Sequence, residues 1–133
     1  MSAVIDASVL VAALTDNGPE GAWAEEVLAE GNLVAPHFAL VEATNILRRL
    51  ELAGRLSRLE AGAAAQDLLR LDLALLPFAP FAERVWELRA NITSYDAWYV
   101  AVAEEIDMPL ATLDRALTAA PGPRCRFLAP PSG

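Results

Sequence analysis

The chain alternates short apolar runs with longer stretches of helical periodicity, and that alternation restricts the fold more than any other property. VIDASVLVAAL reads as a buried strand through Ile5, a turn at Asp6 and a helix over about residues 8–14, which TDNGPEG then breaks. An amphipathic helix over residues 20–30, with Trp23, Val27 and Leu28 inward, precedes a short strand at Leu33, Val34 and Ala35 that stops at Pro36. A longer helix over residues 38–53 ends at Gly54, and Ser57 with Glu60 forms a capping box for the helix that follows. LDLALLPF is a third strand, and PFAERVWELRAN a helix with Pro80 near its first turn, where a missing N–H is harmless. Ser94 caps the helix YDAWYVAVAEEI, Leu110, Ala111 and Thr112 form a fourth strand, Asp114 opens a short helix, and residues 125–128 make a weak edge strand. Short strands alternating with helices indicate an α/β three-layer domain: a short central parallel sheet flanked by helices.

At 133 residues the chain is expected to form one domain with one core over residues 1–133, only the tail at 129–133 being disordered. The N-terminus carries no positive region, and charges interrupt every Ala-rich stretch before the ~20 apolar residues of a membrane span, so a cytoplasmic protein with no membrane partner is expected. Cys125 is alone, which excludes an internal disulfide or a Cys-based zinc site and leaves a packed or idle thiol. His37, without a second His or a nearby Cys, reads as a capping or surface residue. The net charge of −8 argues against general nucleic-acid binding. All ten basic residues are Arg, however, and Arg48, Arg49, Arg55 and Arg58 cluster in ILRRLELAGRLSR, so a local positive strip can coexist with an acidic total. Trp23, Trp86, Trp98 and Tyr99 lie at helical spacing in apolar runs and read as core or interface packing.

Four acidic residues, Asp6, Glu42, Asp96 and Asp114, are each embedded in mostly apolar sequence. Asp6 falls at the carboxyl end of the first strand and Asp114 just past the end of the fourth, the edge where open parallel sheets bind ligands. Either could serve simply as a helix cap, and Asp96, in the first turn of its helix, could merely complement the macrodipole. Glu42 is harder to explain away. It is expected mid-helix, with Phe38, Ala39, Asn45 and Ile46 at helical spacing, so its face turns inward, where an unpaired carboxylate costs several kcal/mol. Arg49 lies seven residues on, a poor distance for a salt bridge along one helix. In a chain with no Lys and one His, the most accessible counter-charge is a hard divalent cation, Mg²⁺ or Mn²⁺. Ser8, Asn45 and Thr112 offer polar groups beside these carboxylates.

In order and spacing across nearly the whole chain, VIDASVLVAAL with Asp6, VEATNILRRL with Glu42 and Asn45, SYDAWYVAVAEE with Asp96, and LATLD with Asp114 resemble the four motif regions of PIN-domain ribonucleases, particularly the VapC-type toxins of bacterial toxin–antitoxin pairs. The resemblance implies a Mg²⁺- or Mn²⁺-dependent endoribonuclease, commonly a homodimer, inhibited by a cognate antitoxin in a toxin–antitoxin hetero-oligomer. It makes Asp6, Glu42, Asp96 and Asp114 the catalytic and metal-binding quartet, with Ser8, Asn45 and Thr112 in support. An acidic, Lys-free chain departs from the usual RNA-binding enzyme, so substrate grip falls to the Arg strip, a dimer groove or the metal. Receiver domains and haloacid-dehalogenase-type phosphatases also set an Asp beside a parallel sheet, but they resemble each other in using a Lys that this chain lacks. A catalytically inactive PIN-like protein-binding module would need no quartet, and the intact quartet favours the enzyme. A pocket of four carboxylates would also attract an Arg from an inhibitor peptide, with the apolar helices around Trp23 and Ile46 as a groove for its hydrophobic side chains.

Overall fold

The computed structural model describes residues 2–131. Strand β1 (Ala3–Ile5) pairs with β2 (Leu33–Pro36) on one side and β4 (Leu110–Ala111) on the other. Strand β3 (Leu73–Leu76) continues the sheet beyond β2, and β5 (Phe127–Leu128) beyond β4. All pairings are parallel, giving the order β3-β2-β1-β4-β5. Parallel neighbours require crossover connections, and the helices supply them. Helices α1 (Ala7–Thr15) and α2 (Pro19–Ala29) lead to β2, and α3 (Ala39–Leu52) and α4 (Arg58–Arg70) to β3. A 3₁₀ turn (Ala79–Phe81), α5 (Ala82–Glu87) and α6 (Ser94–Glu105) lead to β4, and α7 (Arg115–Ala119) to β5.

The chain therefore builds outward from β1 to β3, then returns to the other side of β1. Its winding reverses between β1 and β4, and at such a reversal the loops leaving two adjacent strands part to open a crevice. The burial pattern follows this order: β1, β2 and β4 are fully buried, while β3 and β5 at the edges are half-buried or exposed. Helix α6 packs over β1, β2 and β4, and α1 packs against α2, α3 and α4, closing one continuous apolar core. Among the described residues no helix is long and apolar enough to cross a membrane.

Local signals account for most boundaries. The Ser57 hydroxyl accepts from the Glu60 amide at 3.0 Å, and the Glu60 carboxylate accepts from the Ser57 amide at 2.9 Å, so both halves of the expected capping box are present. Gly54, at φ +76°, ends α3 in the left-handed conformation that glycine tolerates without strain. Three boundaries differ from the sequence expectation. Helix α3 starts at Ala39, so Glu42 sits in its first turn rather than mid-helix. Thr93, not Ser94, caps α6: it is the extended residue, and its hydroxyl accepts from the Asp96 amide at 3.2 Å. The segment containing Pro80 splits into the 3₁₀ turn and the short α5, instead of one helix. Of the tail expected to be disordered from 129, Pro130 is buried and its carbonyl accepts from Arg115 at 3.0 Å; residues 132 and 133 lie outside the described residues.

Arg84 fastens the far side of the fold. Its guanidinium grips Glu104 of α6 through two bonds, 2.7 and 3.1 Å, and donates to the Gly122 carbonyl at 3.0 Å. Glu104 also accepts from the Arg124 amide at 2.7 Å, so one forked pair ties α5, α6 and the loop before β5. Partial burial works against the Glu104 charge, but the Arg84 bonds, the Arg124 amide and the two Arg charges together hold the carboxyl below its ordinary value.

Helix α2 approaches the end of α1 so closely that a Cβ at Gly21 would collide with the Asp16 carbonyl oxygen. Replacing a helical Gly with Ala ordinarily gains about 0.5–1 kcal/mol. At Gly21 the obstacle is backbone, so Gly21→Ala is expected to destabilise by about 1–3 kcal/mol, read as a lower Tm in thermal denaturation. A Tm at or above that of the parent would contradict the close approach.

Candidate active site

The crevice between β1 and β4 is built around Asp6. This residue follows β1 in extended conformation and caps α1, its Oδ1 accepting from the Ser8 amide at 3.1 Å. Its Oδ2 accepts from the Thr112 hydroxyl, at the end of β4, at 2.8 Å. The same hydroxyl accepts from the Asp114 amide at 3.0 Å, so Thr112 couples the Asp6 side chain to the backbone that carries Asp114. Asp114 caps α7 through Oδ1 and the Leu117 amide at 3.1 Å, leaving Oδ2 with no donor among the described residues. The Ser8 hydroxyl accepts from the Leu113 amide at 3.4 Å, a second tie between the two strand ends. Capping and convergence are thus compatible: in each aspartate one oxygen serves the helix, and the carboxylate still faces the crevice edge.

Asp96 and Glu42 enter from the flanking helices. Asp96 occupies the first turn of α6, half-buried, with the Thr93 side chain beside its carboxylate. Glu42 is half-buried, and its Oε1 accepts from the Tyr99 hydroxyl at 3.0 Å. Tyr99 stands three residues beyond Asp96 on α6, and its oxygen also receives the Ala7 amide, so one phenol links α6, α3 and the start of α1. Arg49 takes no part, and Asn45 is exposed and joins no hydrogen bond of this network among the described residues.

The electrostatics bind the four together. Burial raises the Asp6 carboxyl above its ordinary value, against the lowering effect of its Ser8 and Thr112 bonds, and the Asp114 charge raises it further. Burial likewise raises Glu42, opposed by the Tyr99 bond and reinforced by the charges of Asp6 and Asp96. Burial raises Asp96, with the charges of Asp6 and Asp114 adding to it. Tyr99 is pushed up by burial and then by the charges of Asp6 and Glu42, which keeps the phenol a donor at any physiological pH. Among the described residues none of the four carboxylates is paired with an Arg.

Asp6, Glu42 and Asp96, raised by burial first and by neighbouring charge second, stand with Asp114 and no Arg partner among the described residues, a donor set suited to a hard divalent cation. Among the described residues no three His, Cys, Asp or Glu side chains stand close enough to one another to enclose an ion by themselves. A cation that keeps several of its waters suits carboxylates spaced in this way. Asp96 and Asp114 also line one cleft of about 470 Å³, together with Arg89, Asn91, Thr93 and Leu117.

Of the residues that the sequence singled out, Asp6, Glu42, Asp96, Asp114, Ser8 and Thr112 meet here, and Asn45 does not join the hydrogen-bonded network. Tyr99, expected to be packing alone, is buried as foreseen but also holds Glu42. The Arg strip divides: Arg49 and Arg55 line a separate groove of about 480 Å³ with Ser8, Ile46 and Leu113, while Arg58 faces another surface. Trp23 packs against the core and lies outside that groove. His37 is exposed, and its amide extends the β2–β3 pairing by donating to the Leu76 carbonyl at 2.8 Å. Burial pushes the Cys125 thiol up to about 11, which keeps it protonated and inert near neutrality.

This fold has known counterparts. The PIN domain family model matches residues 3–123, and the chain belongs to that family. Over 125 residues it is 40% identical to Ribonuclease VapC1 of Mycobacterium tuberculosis, covering 93% of this chain and 94% of that protein. The solved structure of PAE2754 from Pyrobaculum aerophilum superimposes with a TM-score of 0.71 at 28% identity, over 96% of this chain and 83% of that one. VapBC2 from Rickettsia felis, solved bound to a DNA fragment from its promoter, shares the fold, with a TM-score of 0.68 at 14% identity over 98% of this chain and 100% of that one.

Asp6, Glu42 and Asp96 bind protons more tightly in the folded protein than in the unfolded chain. Their contribution to stability is therefore present below the ordinary carboxylate range and is lost as pH rises through the raised values. Asp6→Asn keeps an acceptor for the Ser8 amide and an equally good cap, turns an NH2 donor toward the Thr112 oxygen where Asp6 accepted from its hydroxyl, and removes the most buried charge. Without added metal, it is expected to raise the Tm near neutral pH by a few degrees, on the order of 1 kcal/mol, with the difference closing as pH falls. A lower Tm for Asp6→Asn at neutral pH would show that Asp6 is structurally favourable as a carboxylate.

Proposed function

We propose that the protein is an endoribonuclease of the VapC type, a toxin that uses Mg²⁺ or Mn²⁺ to cut RNA phosphodiester bonds and is restrained by a cognate antitoxin. The observation that carries this reading is the convergence of Asp6, Glu42, Asp96 and Asp114, unpaired with any Arg among the described residues, at the winding reversal of a PIN domain. The relative VapC1 is named a ribonuclease. No feature of the chain favours the inactive binding-module alternative, which would leave the buried charge repulsion without a purpose.

The four carboxylates would hold the ion between them, directly or through its waters. When bound, Mg²⁺ or Mn²⁺ supplies Lewis acidity, easing deprotonation of an attacking water and offsetting charge that builds on the phosphate oxygens. The protein's own work is orientation. Thr112 and the Ser8 amide fix the plane of the Asp6 carboxylate, and Tyr99 restrains one oxygen of Glu42 while leaving Oε2 free of protein donors among the described residues. Asp96 and Asp114 line the cleft, and Asp114 Oδ2 is likewise free of protein donors among the described residues. The Thr112 hydroxyl is committed in both directions, as donor to Asp6 and acceptor from Asp114, which makes it a positioning group and not a nucleophile. Water serves as the attacking group.

The partner reading rests on the same surface. The groove flanked by Arg49 and Arg55 has Val11, Ile46, Leu50 and Leu56 as its apolar lining and reaches Ser8 and Leu113 beside the carboxylates. It suits the apolar side chains of an antitoxin segment, whose Arg could then pair with the carboxylates and exclude metal and substrate together. A homodimer and a hetero-oligomer with the antitoxin, in the cytoplasm where the RNA is, complete the proposal.

Purified protein is expected to cleave RNA with Mn²⁺ present and to stop when EDTA is added. Asp6→Asn and Asp96→Asn should each lower kcat by about 10²-fold or more while remaining folded by circular dichroism. Turnover near that of the parent at saturating Mn²⁺ in either variant would remove that residue from the catalytic set.

A further inference from the structure

The cleft that holds Asp96 and Asp114 also contains a cation that neither of them neutralises. Arg89 follows the end of α5, and its guanidinium lies 4.3 Å from the centroid of the Trp86 ring while Nη1 donates to the Trp86 carbonyl at 2.8 Å. Arg70, Arg84 and Arg126 are engaged by carboxylates, whereas Arg89 enters no ion pair among the described residues. Two carboxylates in one cleft attract a guanidinium, and a free Arg side chain would fold toward them. The Trp86 face and carbonyl oppose that collapse and hold the charge at the rim. Trp86 is itself 66% exposed, so its ring serves as a platform for Arg89 and not as core.

We propose that Arg89, held by Trp86, is a phosphate-binding residue that grips the RNA backbone beside the phosphodiester lying at Asp96 and Asp114. This rests on the ribonuclease reading and names the group that binds the strand. The chemistry of the cleft selects the ligand. A guanidinium fork takes two phosphate oxygens at once, with most of the N–H donors of Arg89 still uncommitted. Asn91 and Thr93 line the same cleft and add neutral polar groups, and its volume of about 470 Å³ lies in the range of small-ligand sites. In a chain of net charge −8, a polyanion is retained only where a cation is both fixed and unpaired, and Arg89 meets both conditions in the cleft.

The test is the binding of a fluorescent single-stranded RNA oligonucleotide, followed by anisotropy over a range of salt, on the Asp6→Asn background that stops turnover. Arg89→Met is expected to raise Kd about tenfold and to reduce the slope of log Kd against log salt by about 0.7, the value for one phosphate contact on a single strand. Arg89→Lys should keep the slope and lose only part of the affinity, and Trp86→Leu should weaken binding with the slope unchanged, because it frees the charge without deleting it. In the active protein, Arg89→Met should raise KM about tenfold and leave kcat within about twofold. Parent-like Kd and slope in Arg89→Met, a change of oligomeric state with unaltered RNA binding, or no RNA binding by the background protein would each overturn the proposal. Failure of the ribonuclease reading is separate: the parent would then cleave no RNA, while the binding titration would still decide the role of Arg89.

Discussion

A carboxylate kept 9% exposed at the point where a parallel sheet reverses its winding is the constraint on which the rest of this structure depends. Asp6 cannot be moved: it ends the central strand, starts α1 and receives the Thr112 hydroxyl from the neighbouring strand. It also cannot be left alone, because burying a charge is costly and its two hydrogen bonds do not lower its proton affinity to the ordinary range. Around it the fold adds three more acids and no Arg partner, which compounds the cost. Such an arrangement is stable enough to persist because strain at one crevice is carried by a dense core and by distant locks such as the Arg84–Glu104 fork.

The acids divide their labour by geometry. Asp6 and Asp114 are fixed by strand ends and cap helices, so their positions follow from the sheet. Glu42 and Asp96 come from the first turns of α3 and α6, so their positions depend on how those helices dock. Tyr99 joins the two groups. Its ring is buried against the core, which fixes its hydroxyl, and the hydroxyl in turn fixes Glu42 relative to Asp96 three residues earlier on the same helix. Packing is thereby converted into the placement of a carboxylate.

The parallel sheet and the placement of Asp6 and Asp114 at its strand ends were legible in the chain because strand-to-helix alternation and the sequence motifs are local signals. The Ser57–Glu60 box and the stop at Gly54 are of the same kind. What escaped was either a matter of one turn or a matter of distance along the chain. Thr93 and Ser94 are both capable caps, and only the backbone conformation at Thr93 decides between them. Phe38 continues the apolar pattern of α3 but caps it, and with the helix starting at Ala39 Glu42 belongs to its first turn, whereas its apolar neighbours suggest a mid-helix position. The Tyr99 hydroxyl finds its partner 57 residues away, and apolar periodicity reports that a tyrosine is buried without reporting where its oxygen points. Arg89 was invisible for a similar reason, since a basic residue near a helix end is ordinary until the cleft it lines is known. Asn45, chosen for its spacing from Glu42, faces outward because the helix turns its exposed side there.

The four carboxylates are proposed as a cation site whose charges repel one another until an ion arrives. Titration calorimetry of Mn²⁺, repeated in buffers of different ionisation enthalpy, measures it most directly, because it counts protons displaced as the ion binds. With Asp6, Glu42 and Asp96 raised by burial and by neighbouring charge, binding should release few protons well above the ordinary carboxylate range and progressively more as the pH falls toward it, and Asp6→Asn should bind the ion more weakly with less release. No heat of binding, or binding whose proton release does not grow as the pH is lowered, would contradict the account.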